Sequence, residues 1–100
     1  MKDYFTINNF HEGLCMGREI EFLFDGDMYF IQTDFKFMRS HSPIQSVNDK
    51  RYVLYKLANW YDNDAEKILS GTYDEIISFP LKGNMNIKTD FDKFELHCML

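Results

Sequence analysis

The sequence predicts an α+β fold: an antiparallel sheet of about four strands, with short helices packed mainly on one face. Two alternating hydrophobic runs flank Asp25-Gly26, a dipeptide typical of two-residue hairpin turns. Aromatic side chains make up 17% of the 100 residues, and alanine occurs only at positions 58 and 65, which favours strands over a helix bundle. This length predicts a single domain over residues 1–100, able to bury roughly 60–70% of its unfolded surface.

The hairpin turn predicts which side chains share a face of the sheet. The expected cross-strand pairs are Phe24 with Asp27, Phe22 with Tyr29, and Ile20 with Ile31. Because side chains alternate along a strand, these positions lie on one apolar face, which is the predicted core. The opposite face is mixed, and its predicted members include Glu19, Glu21, Leu23, Met28 and Phe30. A slip of one residue would bury the two glutamates, so the register is strongly specified.

The remaining elements follow from capping residues and from periodicity. Thr6 is a predicted N-cap, Gly17 a predicted helix terminator, and Thr72 with Glu75 a predicted capping box. Strands are expected over about 18–24, 27–38, 51–57 and 94–99, and helices over about 7–16, 64–70 and 73–78. Residues 39–50 lack periodicity and are expected to form a surface loop. Near the C-terminus, two interpretations are open: one helical turn over 90–93, or a strand throughout 91–99. In either case we favour a closing strand at 94–99.

Composition and missing motifs exclude several classes of function. A net charge of −5 disfavours binding to nucleic acid or to an anionic membrane. The sequence contains no apolar run of 18 residues, the length that a membrane-spanning helix needs. Because residues 1–10 lack the apolar core of a signal peptide, we expect a cytoplasmic protein whose cysteines, Cys15 and Cys98, are reduced and buried. A disulfide between them remains an alternative. None of the common nucleotide-binding, metalloprotease or serine-hydrolase motifs occurs, so we expect no enzyme, no metal and no cofactor.

Two weaker patterns could carry chemistry. His11 and Cys15 are four residues apart on a predicted helix, which could supply half of a metal site or a Cys–His pair, but no completing residues are apparent. Residues 35–56 carry five basic side chains and one acidic one, a basic region within an acidic chain. Arg39, His41 and Arg51 of this region could bind a phosphate, whereas the simpler interpretation is local compensation of neighbouring acidic strands.

The segment from Phe10 to Ile31 resembles part of a known group of proteins. Its order is a helix, Gly17-Arg18-Glu19-Ile20-Glu21-Phe22, the Asp25-Gly26 turn and Tyr29-Phe30-Ile31. This order resembles small uncharacterised α+β proteins of low-GC Gram-positive bacteria. The resemblance extends more loosely to residues 73–83. It implies a cytosolic α+β domain and supplies no catalytic residues.

The expected function is a non-enzymatic, acidic, protein-binding module. An apolar patch rimmed by carboxylates is typical of a protein interface. We therefore expect Glu19, Glu21, Leu23, Met28 and Phe30 to meet a basic protein partner, as small immunity proteins and phage-borne inhibitors do when they occlude a nuclease. The alternatives are a small enzyme or nucleotide-binding protein that uses the basic region, and a structural homodimer that buries the mixed face. Coverage of that face by another part of the chain is a further alternative.

Overall fold

The protein is an α+β domain built on one antiparallel sheet, as the sequence predicts. The computed structural model describes residues 5–40, 50–60 and 65–100, with the backbone alone described at 38–40. The helices are α1 (Ile7–Cys15), α2 (Phe35–Ser40) and α3 (Tyr73–Ser78), and a 3-10 turn spans Phe91–Lys93. The strands are β1 (Ile20–Phe24), β2 (Asp27–Thr33), β3 (Tyr52–Leu57), β4 (Glu66–Gly71) and β5 (Phe94–Met99), in the sheet order β4-β3-β2-β1-β5. None of the described helices is long and apolar enough to cross a membrane.

The β1–β2 hairpin has the predicted register and the predicted turn. Its pairs are Ile20 with Ile31, Phe22 with Tyr29, and Phe24 with Asp27. Asp25 and Gly26 both have positive φ, at 50° and 87°, the conformation that a two-residue turn of this type requires. The predicted core face of the hairpin is confirmed, because each of its hydrophobic members is at most 1% exposed.

The core lies between this face of the sheet and the helices. Phe10 and Leu14 of α1, Ile76 and Ile77 of α3, and Ile87 pack with the sheet residues in one hydrophobic cluster. Both predicted capping residues are confirmed. Thr6 accepts a hydrogen bond from the Asn9 backbone, and Thr72 accepts one from the Glu75 backbone, each within a reciprocal capping box. The helices are short, so packing on the sheet supplies most of their stability.

The predicted helix over 64–70 is wrong, because Glu66–Gly71 form strand β4. Leu54 pairs with Leu69 and Tyr52 pairs with Gly71, so β4 satisfies the backbone groups along the outer side of β3. A helix of seven residues would gain little from its own hydrogen bonds. Asn63 and Asp64, residue types that could cap the start of the predicted helix, lie outside the described residues.

The predicted strand over 27–38 is also too long. It ends at Thr33, and residues 35–40 form α2. The reason is Asp34, whose Oδ1 accepts a hydrogen bond from the Phe37 backbone at 3.1 Å, as an N-cap residue does. Phe35 is consequently 50% exposed instead of continuing the core face. Of the predicted loop over 39–50, residues 41–49 lie outside the described part of the chain, and Ser40 ends α2.

The closing strand at 94–99 is confirmed, with one irregularity. Leu96 pairs with Phe22 and Cys98 pairs with Glu21, so His97 is an extra residue at a β-bulge. The bulge shifts the alternation, and Met99 pairs with the buried Ile20. Uninterrupted alternation over the predicted strand 94–99 would place Met99 on the face of Glu95, whereas the bulge places it on the core face.

Candidate functional site

The candidate site is the sheet face opposite the core, called here the second face. The register places Leu23 beside Met28 and Glu21 beside Phe30 on this face. All four side chains are partly buried, as is Glu19, which precedes β1. Helices α1 and α3 pack on the core face, so these side chains lie apart from the main hydrophobic cluster. The structure thus brings together the residues that the sequence predicts for partner binding.

Strand β3 extends the second face with further apolar surface. Tyr55 pairs with Phe30, and Leu57 pairs with Met28. The Phe30 and Tyr55 rings are stacked, with centroids 5.9 Å apart. Val53 pairs with Gln32 on the same face and is only 6% exposed, so this face is partly covered. The apolar part of the face therefore continues across three neighbouring strands.

Trp60 lies across the second face. It follows the end of β3, yet its ring stacks on His97 of β5, with centroids 4.0 Å apart and planes inclined by 3°. Strands β3 and β5 are separated by β2 and β1, a distance of about 14 Å at the usual strand spacing. The described residues after β3, 58–60, must therefore extend over β2 and β1. The chain itself covers part of the second face, one of the alternatives that the sequence left open.

A cavity of about 210 Å³ lies on this face beside Trp60. The described residues that line it come from three strands and from the segment after β3. They are Glu21, Phe30, Gln32, Tyr55, Leu57, Trp60 and Ala65. Three aromatic rings and one carboxylate thus surround a space well below the roughly 300–1,000 Å³ of a typical small-molecule pocket.

The carboxylate of Glu21 dominates the charge of this cavity. Within the described residues, Glu21 takes part in no ion pair and no side-chain hydrogen bond. Lys67 is the cross-strand partner of Tyr55. Lys67 does not line the cavity. Its positive charge instead helps to lower the pKa of Asp34, for which the main cause is the hydrogen bond from Ser70. The cavity therefore presents negative charge beside aromatic rings, a combination that attracts cations.

The basic region is only partly described. The Arg51 guanidinium lies 4.9 Å from the centroid of the Phe37 ring and 4.0 Å from the Glu75 carboxylate. Arg51 thus links α2, which contains Phe37, to α3, which contains Glu75. His41 and the Arg39 side chain lie outside the described residues. The phosphate site formed by Arg39, His41 and Arg51 stays a prediction.

His11 and Cys15 lie in a cluster of aromatic groups beside α3. The His11 ring stacks on Tyr73, with centroids 3.9 Å apart. The Cys15 thiol lies near the Tyr52 hydroxyl, which is buried and has no geometric hydrogen-bond partner in the described part of the chain. Burial raises the pKa of Tyr73 to about 12 and raises that of Tyr52 further.

Cys15 and Cys98 are both partly buried free thiols. In the described parts of the chain, no three His, Cys, Asp or Glu side chains converge as a metal site would require.

A larger concavity, of about 530 Å³, lies beside the β1–β2 turn. Its charged lining residues include Asp25, Asp92 and Lys93. Asp25 lies 3.4 Å from Lys82, and Asp92 lies 4.0 Å from Lys93, so these acids have basic neighbours. Two of the three acidic residues that line this concavity therefore have a basic neighbour, and the third is Glu95.

Three members of the site were not predicted from the sequence. The alternation of β3 places Tyr55 on one strand face, but nothing local indicates that this face continues the one carrying Phe30. At Trp60, the only signal in the sequence is that it is the single tryptophan of the chain. His97 reaches Trp60 through a bulge that sequence alternation does not reveal.

No protein family matches the chain, and neither a curated protein nor a solved structure is significantly similar to it. The resemblance to small Gram-positive α+β proteins stays a prediction.

Proposed function

We propose that this protein is a non-enzymatic binding module that presents its second face to a basic protein partner. The observation that carries the proposal is the carboxylate of Glu21, which has no ion-pair partner among the described residues, beside the partly exposed aromatic surface of Phe30, Tyr55 and Trp60. Apolar contact area provides affinity, and complementary charge provides specificity and a fast association rate. The net charge of −5 acts in the same direction.

In this proposal the module acts in the cytoplasm by occlusion, as immunity proteins and phage-borne inhibitors do. Glu19, Glu21, Leu23, Met28 and Phe30 contact the partner. Tyr55 and Trp60 are added to that set because they lie on the same face. The fold supports such a role, since a sheet braced by helices on its other side is a rigid platform. Interfaces on pre-organised surfaces lose less entropy on binding.

Affinity capture with two charge-reversal variants tests the proposal. The tagged chain is incubated with a lysate of its source organism, and retained proteins are identified and quantified. We expect one basic protein in stoichiometric amount, retained less as salt is raised. Glu21→Lys should abolish retention. Glu12→Lys is the matched control, because Glu12 is exposed on α1, on the opposite side of the sheet.

Two outcomes would contradict the proposal. One is the absence of any stoichiometric partner. The other is equal loss of binding in Glu12→Lys and Glu21→Lys, which would indicate a response to net charge alone. Light scattering of the purified chain tests the homodimer alternative. A dimer that Glu21→Lys dissociates would mean that the second face binds another copy of the chain.

A further inference from the structure

We infer that the cavity beside Trp60 is a binding site for a single guanidinium group, the head of an arginine side chain on the partner. The inference rests on the proposed function and names the group that the second face recognises. Cations are attracted to the faces of aromatic rings, most strongly to that of tryptophan. Guanidinium is planar and weakly hydrated, so it stacks on such rings more readily than an ammonium group does.

The lining residues provide both parts of such a site. Phe30, Tyr55 and Trp60 contribute three aromatic rings. Glu21 contributes a carboxylate that is unpaired within the described residues, and a carboxylate can accept two parallel hydrogen bonds from guanidinium. The partial burial of Glu21 reduces the screening of its charge by water. Leu57 and Ala65 line the same cavity and suit the methylene groups of the side chain.

The size of the cavity limits what it can hold. Its volume of about 210 Å³ equals that of roughly seven water molecules. This space fits one side-chain head with adjoining methylenes, and a nucleotide or a peptide segment would extend beyond it. The remaining second-face residues, among them Leu23 and Met28, lie outside the cavity and would contact the flanking surface of the partner.

One face of Trp60 is already occupied by His97, with the planes inclined by only 3°. This stack holds the indole in place, so that the ring does not need to be ordered when a cation binds. A pre-ordered ring lowers the entropic cost of binding.

A titration with small probes tests the inference. The chain has a single tryptophan, so the indole N–H resonance in an NMR spectrum reports on this site alone. We expect N-acetyl-arginine amide to shift that resonance saturably at constant ionic strength. The citrulline analogue has nearly the same shape without the charge, and we expect it to bind at least tenfold more weakly. Methylguanidine lacks the methylene chain and should bind at least fivefold more weakly than the arginine probe.

Two isosteric variants locate the site. Glu21→Gln should weaken binding of N-acetyl-arginine amide at least fivefold. Glu12→Gln removes the same charge from an exposed residue of α1, on the opposite side of the sheet, and should change binding less than twofold. Circular dichroism checks that both variants fold. Equal shifts with arginine and citrulline probes, equal effects of the two variants, or no saturable shift would overturn the inference. Equal affinity for methylguanidine would overturn it as well, since the site would then take a free small cation.

The outcome separates this inference from the proposed function. If a captured partner still binds the Glu21→Gln variant, the arginine site is contradicted and the protein-binding module is not. If arginine binds saturably but no partner is captured, the protein-binding module is contradicted and the guanidinium site is not.

Discussion

The indole ring of Trp60 lies flat on the imidazole ring of His97, 4.0 Å away between centroids. The two residues are 37 positions apart in sequence. Trp60 follows β3 and His97 belongs to β5, and these two strands are separated in the sheet by β2 and β1. The contact fixes the segment after β3 across the second face. It thereby forms one wall of the cavity that contains Glu21.

We expect Trp60 and His97 to be energetically coupled. Stacked aromatic pairs contribute about 0.5–1.5 kcal/mol beyond the area they bury. A double-mutant cycle with Trp60→Leu and His97→Ala, measured by urea unfolding, should give a coupling free energy in that range. The control cycle pairs Trp60→Leu with His11→Ala, because His11 stacks on Tyr73 instead. A coupling no larger than in the control would mean that the stack does not hold the segment in place.

Asp34 should make stability depend on pH in the acidic range. Its pKa is lowered mainly by the hydrogen bond that the Ser70 hydroxyl donates, and also by the Phe37 backbone N–H. The folded state therefore binds this proton less tightly than the unfolded state, whose pKa is about 3.9. The stabilisation is complete above that value and is lost as the pH falls through the folded pKa.

The Asp34→Asn variant tests this dependence. It should lower the free energy of unfolding at pH 7 by about 1 kcal/mol, and the difference from the original chain should shrink below about pH 4. Ser70→Ala should reduce the same pH dependence, because it removes the largest cause of the shift. A difference that stays constant from pH 7 to pH 2 would contradict this account.

Tyr52→Phe should stabilise the protein or leave its stability unchanged. Within the described residues, the Tyr52 hydroxyl is buried without a hydrogen-bond partner, which costs about 1–3 kcal/mol for a buried polar group. Tyr29→Phe is the matched control, since Tyr29 is equally buried and its hydroxyl donates to the Leu81 carbonyl at 3.5 Å. That variant should lose about 0.5–1 kcal/mol in urea unfolding. Equal losses in both variants would indicate that the Tyr52 hydroxyl bonds to a neighbour such as Cys15.

Gly13→Ala should destabilise the protein although alanine favours a helix. A Cβ at this position would lie 2.7 Å from the Met99 sulfur and 3.4 Å from Ile20 Cδ1. Overpacking costs about 1–3 kcal/mol, which exceeds the gain of about 1 kcal/mol in helix propensity. Thermal unfolding should show a lower midpoint. In a Met99→Ala background the obstruction is absent, and Gly13→Ala should then raise the midpoint. Destabilisation in both backgrounds would place the cause elsewhere.

The features that the sequence predicted well depend on short stretches of chain. Asp25-Gly26 determines the hairpin register, because only a few residue types adopt positive φ at both turn positions. Thr6 and Thr72 begin their helices through hydrogen bonds to residues three positions away. Asp34 shows that a local signal can also be missed, since its capping role was available but alternation at Phe35 and Phe37 suggested a strand.

Local sequence patterns were enough to predict the fold class, the core face of the hairpin and five residues of the second face, because periodicity and turn chemistry act over short stretches of chain. Tertiary contacts were needed to establish that Glu66–Gly71 is a strand, that His97 bulges from β5, and that Trp60 lines a cavity with Glu21. Each of these depends on a partner far along the chain: the outer side of β3, the register of β1, and the stack between Trp60 and His97. Backbone hydrogen bonds and ring contacts between distant residues outweigh weak local preferences, and no short sequence window contains both partners.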